Sequence, residues 1–527
     1  MASLKSFRSR QNMSPLDALR ALVPTGTAEG ERQFIQRIFV EHPNFADLVV
    51  PPPHSPTLLV GKKGAGKTAL IDALAALLLP AGIPIIKITP GDLALTDLAS
   101  GAAVGEHMRV GYSGLISAVA KQLSSDLATL VTGEEKALLR HGINTGALQP
   151  DLVSKVARIL PRLAKPITEI DFSEILDENE SVGLAELRKA ILSKLSRSAG
   201  CLYLVLDDTD QVAQPQRPDH LNRIWGVLLA ARKIAQDSDR IRVLVTLREE
   251  VWRRIAREGA GQRDQVDHFA PLVQRLGSSR QHLAAIIRRR LEEAAKDACE
   301  QAAHIYDLFF DGRSARMPLS NEHSSWEDLI VSRSRERPRD AIQLLRALIA
   351  KAKARNATKI NQHDLDAAMP EFSATRVDYL ANESESECAG IKDLVEKLAY
   401  IPFDQGSFKA SFDVIRQYLH TIPSMGALSI LGKALRPNDD DSFLLILQLL
   451  FDVGVINARA SDVREADGYR HIRPEEAPSL ISKARWTELQ KLVWEINPAY
   501  RDFLIRVQQN DAARSGLAST RRNPRRH

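Results

Sequence analysis

The chain has 527 residues, 44% of them hydrophobic, which is long for one domain and enough for about two to four ordinary cores. Lys and Arg (71) exceed Asp and Glu (66) so slightly that the placement of charge matters more than its total. The three cysteines, Cys201, Cys299 and Cys388, form no C-x-x-C pair, which excludes a disulfide framework and a zinc cluster and fits a reducing, cytoplasmic setting.

Residues 1–50 read as a helical lead-in, with Phe34, Ile35, Ile38 and Phe39 at helical spacing. PPPHSP (Pro51 to Pro56) ends it. LLVGKKGAGKTALIDALAALLLP (Leu58 to Pro80) then reads as an apolar strand, a glycine turn and a helix. Gly61, Lys62, Lys63, Gly64, Ala65, Gly66, Lys67 and Thr68 match G-x-x-x-x-G-K-[ST], the P-loop. Its glycines let successive N–H groups point into one concavity, which suits the β-phosphate of a nucleotide. The helix from about Lys67 adds its positive end. Lys67 is placed to reach the β- and γ-phosphates of ATP, and the Thr68 hydroxyl to ligate Mg2+. Lys62 and Lys63 fill the variable positions. The apolar stretch Ala69 to Ile88 is broken by Asp72, Pro80, Gly82 and Pro84, so no membrane span is expected there.

IPIIKITPGDL (Ile83 to Leu93) reads as a second strand, and 94–200 as mostly helical. CLYLVLDDTD (Cys201 to Asp210) is an apolar run ending in acids. In open α/β sheets ligands bind at the C-terminal strand ends. Asp207 is therefore expected to orient the Mg2+ shell, and Asp208 to polarise the attacking water, while Asp210 reads as the cap of a following helix. RIRVLVTLREEVW (Arg240 to Trp252) is another strand. Arg248 at its end is a candidate for the γ-phosphate or the water, as is Thr246; the alternative is a plain pair of Arg248 with Glu249 or Glu250. Strands alternating with helices predict an α/β domain with a parallel sheet over 51–275.

After about residue 276 the strand signals stop, and 276–375 reads as a helical lid. In RERPRDAIQLL (Arg335 to Leu345), Pro338 sits near a helix start. That start aims Arg339 outward, toward nucleotide, with Arg337 the second candidate; the alternative is an Arg339–Asp340 salt bridge. Over 376–500, GIKDLVEKLAYI, ASFDVIRQYLHTI and SFLLILQLLFDVGVI are apolar-periodic helices. GVINAR and GYRHIR follow as the strands of a wing with Ala460 to Asp467 at its tip. The order fits a winged helix; a helical bundle with a surface hairpin is the alternative. RSGLASTRRNPRRH (Arg514 to His527), read as disordered, closes a basic tail, 501–527.

Placed in order, GKKGAGKTAL, ITPGDL, LVLDDTD, LREEVW and RPRDAIQLL resemble the AAA+-related P-loop ATPases near the origin-recognition and STAND branches. The chain is especially similar to a group of largely uncharacterised bacterial P-loop ATPases. The resemblance spans roughly 30–375. It implies Walker roles for Lys67, Thr68, Asp207 and Asp208, and a nucleotide-sensing role for Arg339. Asp208 stands where the family usually carries Glu. No clean arginine finger is identifiable; Arg253, Arg254 and Arg257 are candidates. A setting in genome maintenance or anti-phage defence is implied by the resemblance alone.

From Arg240 to Arg290 there are twelve arginines, no lysine and five acids, and the tail adds Arg514, Arg521, Arg522, Arg525 and Arg526. Such runs neutralise duplex DNA phosphates; solvated helix faces are the alternative. The expected function is an ATP-hydrolysing switch or remodeller associated with DNA. The competing one is a nucleotide-gated oligomeric scaffold that binds protein partners.

Overall fold

Apolar runs buried on both faces build a parallel sheet. β1 (Thr57–Gly61) and β3 (Leu202–Leu206) are buried at every position. With β2 (Ile85–Ile88), β4 (Ile241–Arg248) and β5 (Val273–Arg275) they form one five-stranded sheet, ordered β2-β3-β4-β1-β5 and parallel throughout. The period of two sorts the side chains by face. Leu58 and Val60 join the core that Leu115, Val119, Trp225 and Leu228 close from one side. Leu59, Tyr203 and Leu244 join Leu70, Ile71 and Leu74 on the other. The helices concerned are α1 (Lys67–Leu78), α2 (Val104–Ser124) and, beyond α3 (Leu184–Arg197), α4 (His220–Asp237). α5 (Glu249–Glu258) follows β4 directly.

This computed structural model describes residues 13–93, 98, 101–124, 136–145, 147, 182–197, 200–212, 220–258, 263–317, 323–404, 407–465 and 468–521. Contacts divide the chain into two units, Glu41–Gly277 and Met1–Val40 with Ser278–His527. The sheet lies in the first. No helix among the described residues is long and apolar enough to cross a membrane.

In the second unit an N-terminal segment packs on the helices after residue 280. The short helix Pro15–Ala21 is capped by Ser14, whose side chain accepts from Asp17 N. Its Leu16 and Leu19 share a core with Leu283 and Ile287 of α6 (Arg280–Ala298), Leu344 and Leu348 of α7 (Pro338–Ala354), and Met369 of α8 (Gln362–Ser384). Asn361 and Asp364 close a capping box at the start of α8. Strand signals do not stop altogether at residue 276. Ser314–Arg316 and His323–Ser325 pair as a small antiparallel ladder too short and polar to register in the sequence.

Next come α9 (Ile391–Lys397), β6 (Lys409–Ser411), α10 (Phe412–Thr421), α11 (Asp440–Asp452), β7 (Ile456–Ser461), β8 (Tyr469–Ile472) and β9 (Val493–Ile496). The strands form an antiparallel sheet ordered β8-β7-β9-β6. β7 and β8 are the expected hairpin, but Ala460 pairs with Arg470 and Ser461 with Tyr469, so its tip starts at Asp462 rather than Ala460. The tail also differs from expectation. α12 (Pro498–Arg521) is a helix whose Tyr500 and Leu504 are buried, and Ser373 Oγ donates to Ala499 O at 2.7 Å. Apolar residues at its first turns bind it to α8. Composition beyond Arg514 hid this. Arg522, Arg525 and Arg526 lie outside the described residues.

Candidate functional site: a phosphate-binding loop at the strand ends

Between β1 and α1 the backbone turns through Gly64 (φ +80°) and Gly66 (φ +99°), a region that side chains with Cβ avoid. Gly61 meets a different demand: a Cβ there would lie 2.9 Å from Leu276 O. Lys67 Nζ donates into the loop, to Gly61 O at 2.7 Å and Lys62 O at 3.4 Å. Those carbonyls occupy the ammonium in the place where phosphate oxygens would take it. Burial lowers the Lys67 pKa, opposed by the charges of Glu250, Asp210 and Asp207.

The acids lie where the strand predicts. Asp207 follows β3 and is buried; Asp208 is exposed and takes a left-handed backbone (φ +54°). Asp207 Oδ1 accepts from Thr246 Oγ1 at 2.8 Å and from Asp208 N at 3.1 Å. Its Oδ2 makes no hydrogen bond among the described residues, which leaves an anionic oxygen for a cation or its water. Thr68, in the first turn of α1, is half-buried. The glycine cradle, the ammonium and this carboxylate fit a nucleotide with Mg2+.

Arg248 is level in register with Gly61. It does not pair with Glu249 or Glu250. Its Nε lies 2.7 Å from Asp210 Oδ2, so Asp210 is an ion-pair partner and not merely a cap. Burial raises the Asp210 pKa, while Arg248 and Lys67 oppose the rise. Glu249 is buried, 3.6 Å from Arg275. Glu250 is half-buried and has no hydrogen bond or ion pair among the described residues. Arg253 and Arg254 are half-buried and already engaged; the Arg257 side chain lies outside the described residues.

In the second unit, Arg337 takes the N-cap position of α7 without a side-chain capping bond, Pro338 takes its first position and Arg339 follows, half-buried. The expected alternative for Arg339 fails. Asp340 accepts from Arg335 Nε at 2.6 Å and from Arg376 Nη1, and both arginines are buried. Arg337 donates to Glu383 at 2.9 Å, which makes it a structural residue and a poor second candidate. Arg339 itself has no hydrogen bond or ion pair among the described residues. Arg335 and Glu336 hold consecutive left-handed conformations (φ +50° and +56°), strain fixed by the buried pairs. The partner of Asp340 at Arg376, far along the chain, gives no local sequence signal.

Much of the arginine run is spent internally. Arg288 meets Glu327 at 2.8 Å, Arg290 meets Glu31 at 2.6 Å, and Arg242 donates to Pro51 O at 3.0 Å. At the β7–β8 hairpin Arg464 and Arg470 are exposed, 3.7 Å and 3.9 Å from Asp462, and Val463 is 97% exposed. Helix α11 is buried along most of its length.

A family model described as the P-loop containing region of AAA domain matches residues 43–85, which hold β1, the glycine loop and α1. A second, described as FunZ-associated C-terminal helical domain, matches 281–381. A comparison with curated proteins returns no match. Among solved structures the chain is similar to the Aeropyrum pernix ORC2 protein (12% identity, 92% of this chain and 94% of that chain, TM-score 0.38). It is also similar to the Aeropyrum pernix ORC1 protein in complex with DNA (15%, 97% and 100%, TM-score 0.31). A third is Cdc6p from Pyrobaculum aerophilum (12%, 91% and 94%, TM-score 0.30). Residues 43–85 carry an AAA-type P-loop at the C-terminal end of β1, which lies between β4 and β5 in the parallel sheet.

Proposed function

We propose that the chain is an ATP-binding and ATP-hydrolysing switch that acts on duplex DNA. What supports the nucleotide half is the loop itself: Lys67 Nζ held 2.7 Å from Gly61 O, with the free oxygen of Asp207 at a nearby strand end. In this reading the amides of residues 61–68 and Lys67 hold the phosphates. Thr68 and Asp207 hold Mg2+, which screens the phosphate charge when bound. Asp208 polarises the water. Arg248 and Arg339 supply cations for the terminal phosphate.

The DNA half rests on the last domain. Its order, α9-β6-α10-α11-β7-β8 with one short strand pair between α10 and α11, supports a winged-helix reading, with the exposed hairpin that carries Arg464 and Arg470 as the wing. α11 is too buried to enter a groove, so the hairpin makes the contact. Genome maintenance or anti-phage defence in bacteria is the setting that the family resemblance suggests. One observation favours the competing reading, a nucleotide-gated scaffold that binds protein partners: Arg288 and Arg290 of the arginine run are spent on internal ion pairs and not left for DNA.

The test is the ATPase rate with and without duplex DNA, on protein of known mass by light scattering. Lys67→Ala serves as the control that removes the charge for the phosphates. DNA stimulation supports the switch. Turnover indifferent to DNA, with ATP-dependent assembly, supports the scaffold. Unchanged ATP affinity and turnover in Lys67→Ala overturns the loop assignment.

A further inference from the structure

The turn after β3 does more than end a strand. Thr246 on β4 donates to Asp207 at 2.8 Å, and Thr209 Oγ1 donates to Thr246 O. Two residues farther along β4, Arg248 Nε lies 2.7 Å from Asp210 Oδ2. Side chains therefore stitch the ends of β3 and β4 together, from the Mg2+ candidate Asp207 to the cation Arg248. The pair is asymmetric: the Asp210 side chain is 7% exposed and that of Arg248 is 30% exposed. The acid forms the buried foot and the guanidinium the outer end. Arg248 is level with Gly61, the first residue of the P-loop, and has no other ion pair or hydrogen bond among the described residues.

We propose that Asp210 is a positioning residue, holding the Arg248 guanidinium beside the P-loop as a fixed cation for the terminal phosphate of a nucleoside triphosphate. The sheet unit can then tell triphosphate from diphosphate by itself. This rests on the nucleotide-binding reading of the loop.

Two physical reasons favour a brace over a latch that opens. A buried carboxylate stripped of its cation is costly, so Asp210 does not release Arg248 when phosphate arrives. A guanidinium has five N–H donors, so Nε can stay on the carboxylate while the amino groups address phosphate oxygens. An arginine already held in place also loses less rotamer freedom on meeting its ligand. Asp210 offsets part of the positive charge, which weakens attraction for anions in general. The gain is therefore in selectivity more than in affinity.

The test is calorimetric binding of Mg2+ with ADP, or with a non-hydrolysable ATP analogue, to the full chain. Parent, Arg248→Gln, Asp210→Asn and the double variant are compared. Arg248→Gln should lose about tenfold or more in analogue affinity and less than about threefold in ADP affinity, the scale of one charge-assisted phosphate contact. Asp210→Asn should lose less, in the same direction. The double variant should match Arg248→Gln, because Asp210 acts through it. Arg248→Lys, which keeps a charge, should retain part of the preference; thermal unfolding without nucleotide confirms that each variant is folded. Equal losses for both nucleotides, additive losses in the double variant, or variants indistinguishable from a binding-competent parent would each overturn the proposal alone. A parent that binds neither nucleotide overturns the loop reading with it.

Discussion

Thr246 on β4 donates its hydroxyl hydrogen to Asp207 at the end of β3, at 2.8 Å, and accepts from Asp208 N at 3.0 Å. One hydroxyl thus orients the carboxylate and fixes the peptide that follows it. Thr246→Val keeps the β-branched shape and removes both bonds. It should weaken Mg2+-dependent nucleotide binding about fivefold, the value of a hydrogen bond worth about 1 kcal/mol. Binding measured without Mg2+ should not change. If both conditions lose affinity alike, Thr246 supports the loop and not the metal ligand.

Asp208 is exposed and left-handed, a conformation that Asn adopts as readily as Asp. Asp208→Asn should therefore fold normally and bind MgATP, while hydrolysis slows on the order of 10²–10⁴-fold, the usual contribution of a general base. Single-turnover hydrolysis beside equilibrium binding separates the two effects. Parent-like turnover would move the role to another acid, with Glu250 next in line because it stands unpaired on the first turn of α5.

What the sequence made legible and what it hid divide by range. β1, its glycines and α1 are contiguous, so their chemistry could be read in one window. β3 and β4 are apolar runs that end in charge. β5 could not be read that way: Val273–Arg275 is short and becomes a strand only by pairing with β1. β6 and β9 depend on each other across a long separation. The same holds for side chains. Asp210 looked like a cap because its partner, Arg248, lies on the neighbouring strand. Asp340 looked like a partner for Arg339, but Arg376 from α8 and the strained Arg335 claim it.

Arg339 carries a charge that nothing among the described residues neutralises, at the start of a helix. As a γ-phosphate sensor it should matter only to the triphosphate. Arg339→Ala should bind ADP almost normally and lose the part of the preference for ATP that Arg248 does not supply. It should also lose any ATP-dependent change in oligomerisation or DNA affinity. A charge-assisted contact of a few kcal/mol shifts such an equilibrium by on the order of a hundredfold. Affinities for ADP and an ATP analogue, measured side by side, decide it. Equal losses would reduce Arg339 to a structural residue.

Asp340 gives a pH prediction. Burial pushes its carboxyl up, but Arg335, Arg376 and Arg337 outweigh burial and hold it below the usual carboxylate range. A depressed folded pKa means stability that is fully present above the unfolded value and lost as pH falls from there through the folded one. Urea melts should be unchanged by this group from pH 7 to 5 and lose stability below about pH 4. Asp340→Ala should cost about 3–5 kcal/mol at pH 7, since it strands two buried guanidinium groups. A variant as stable as the parent would show that water reaches the cluster.

The short helix Pro15–Ala21 has its partners in α6, α7 and α8, and its Asp17 lies 2.6 Å from Lys353 at the far end of α7. In a growing chain those partners do not yet exist. The whole of Glu41–Gly277 is synthesised in between, a delay on the order of tens of seconds at ordinary elongation rates. Leu16, Leu19, Leu22 and Val23 spend that interval without a core. The sheet unit folds from one uninterrupted stretch and can be complete before the ribosome reaches α8. The segment made before the sheet unit is then among the last to find its place, and chaperones have a long opportunity there.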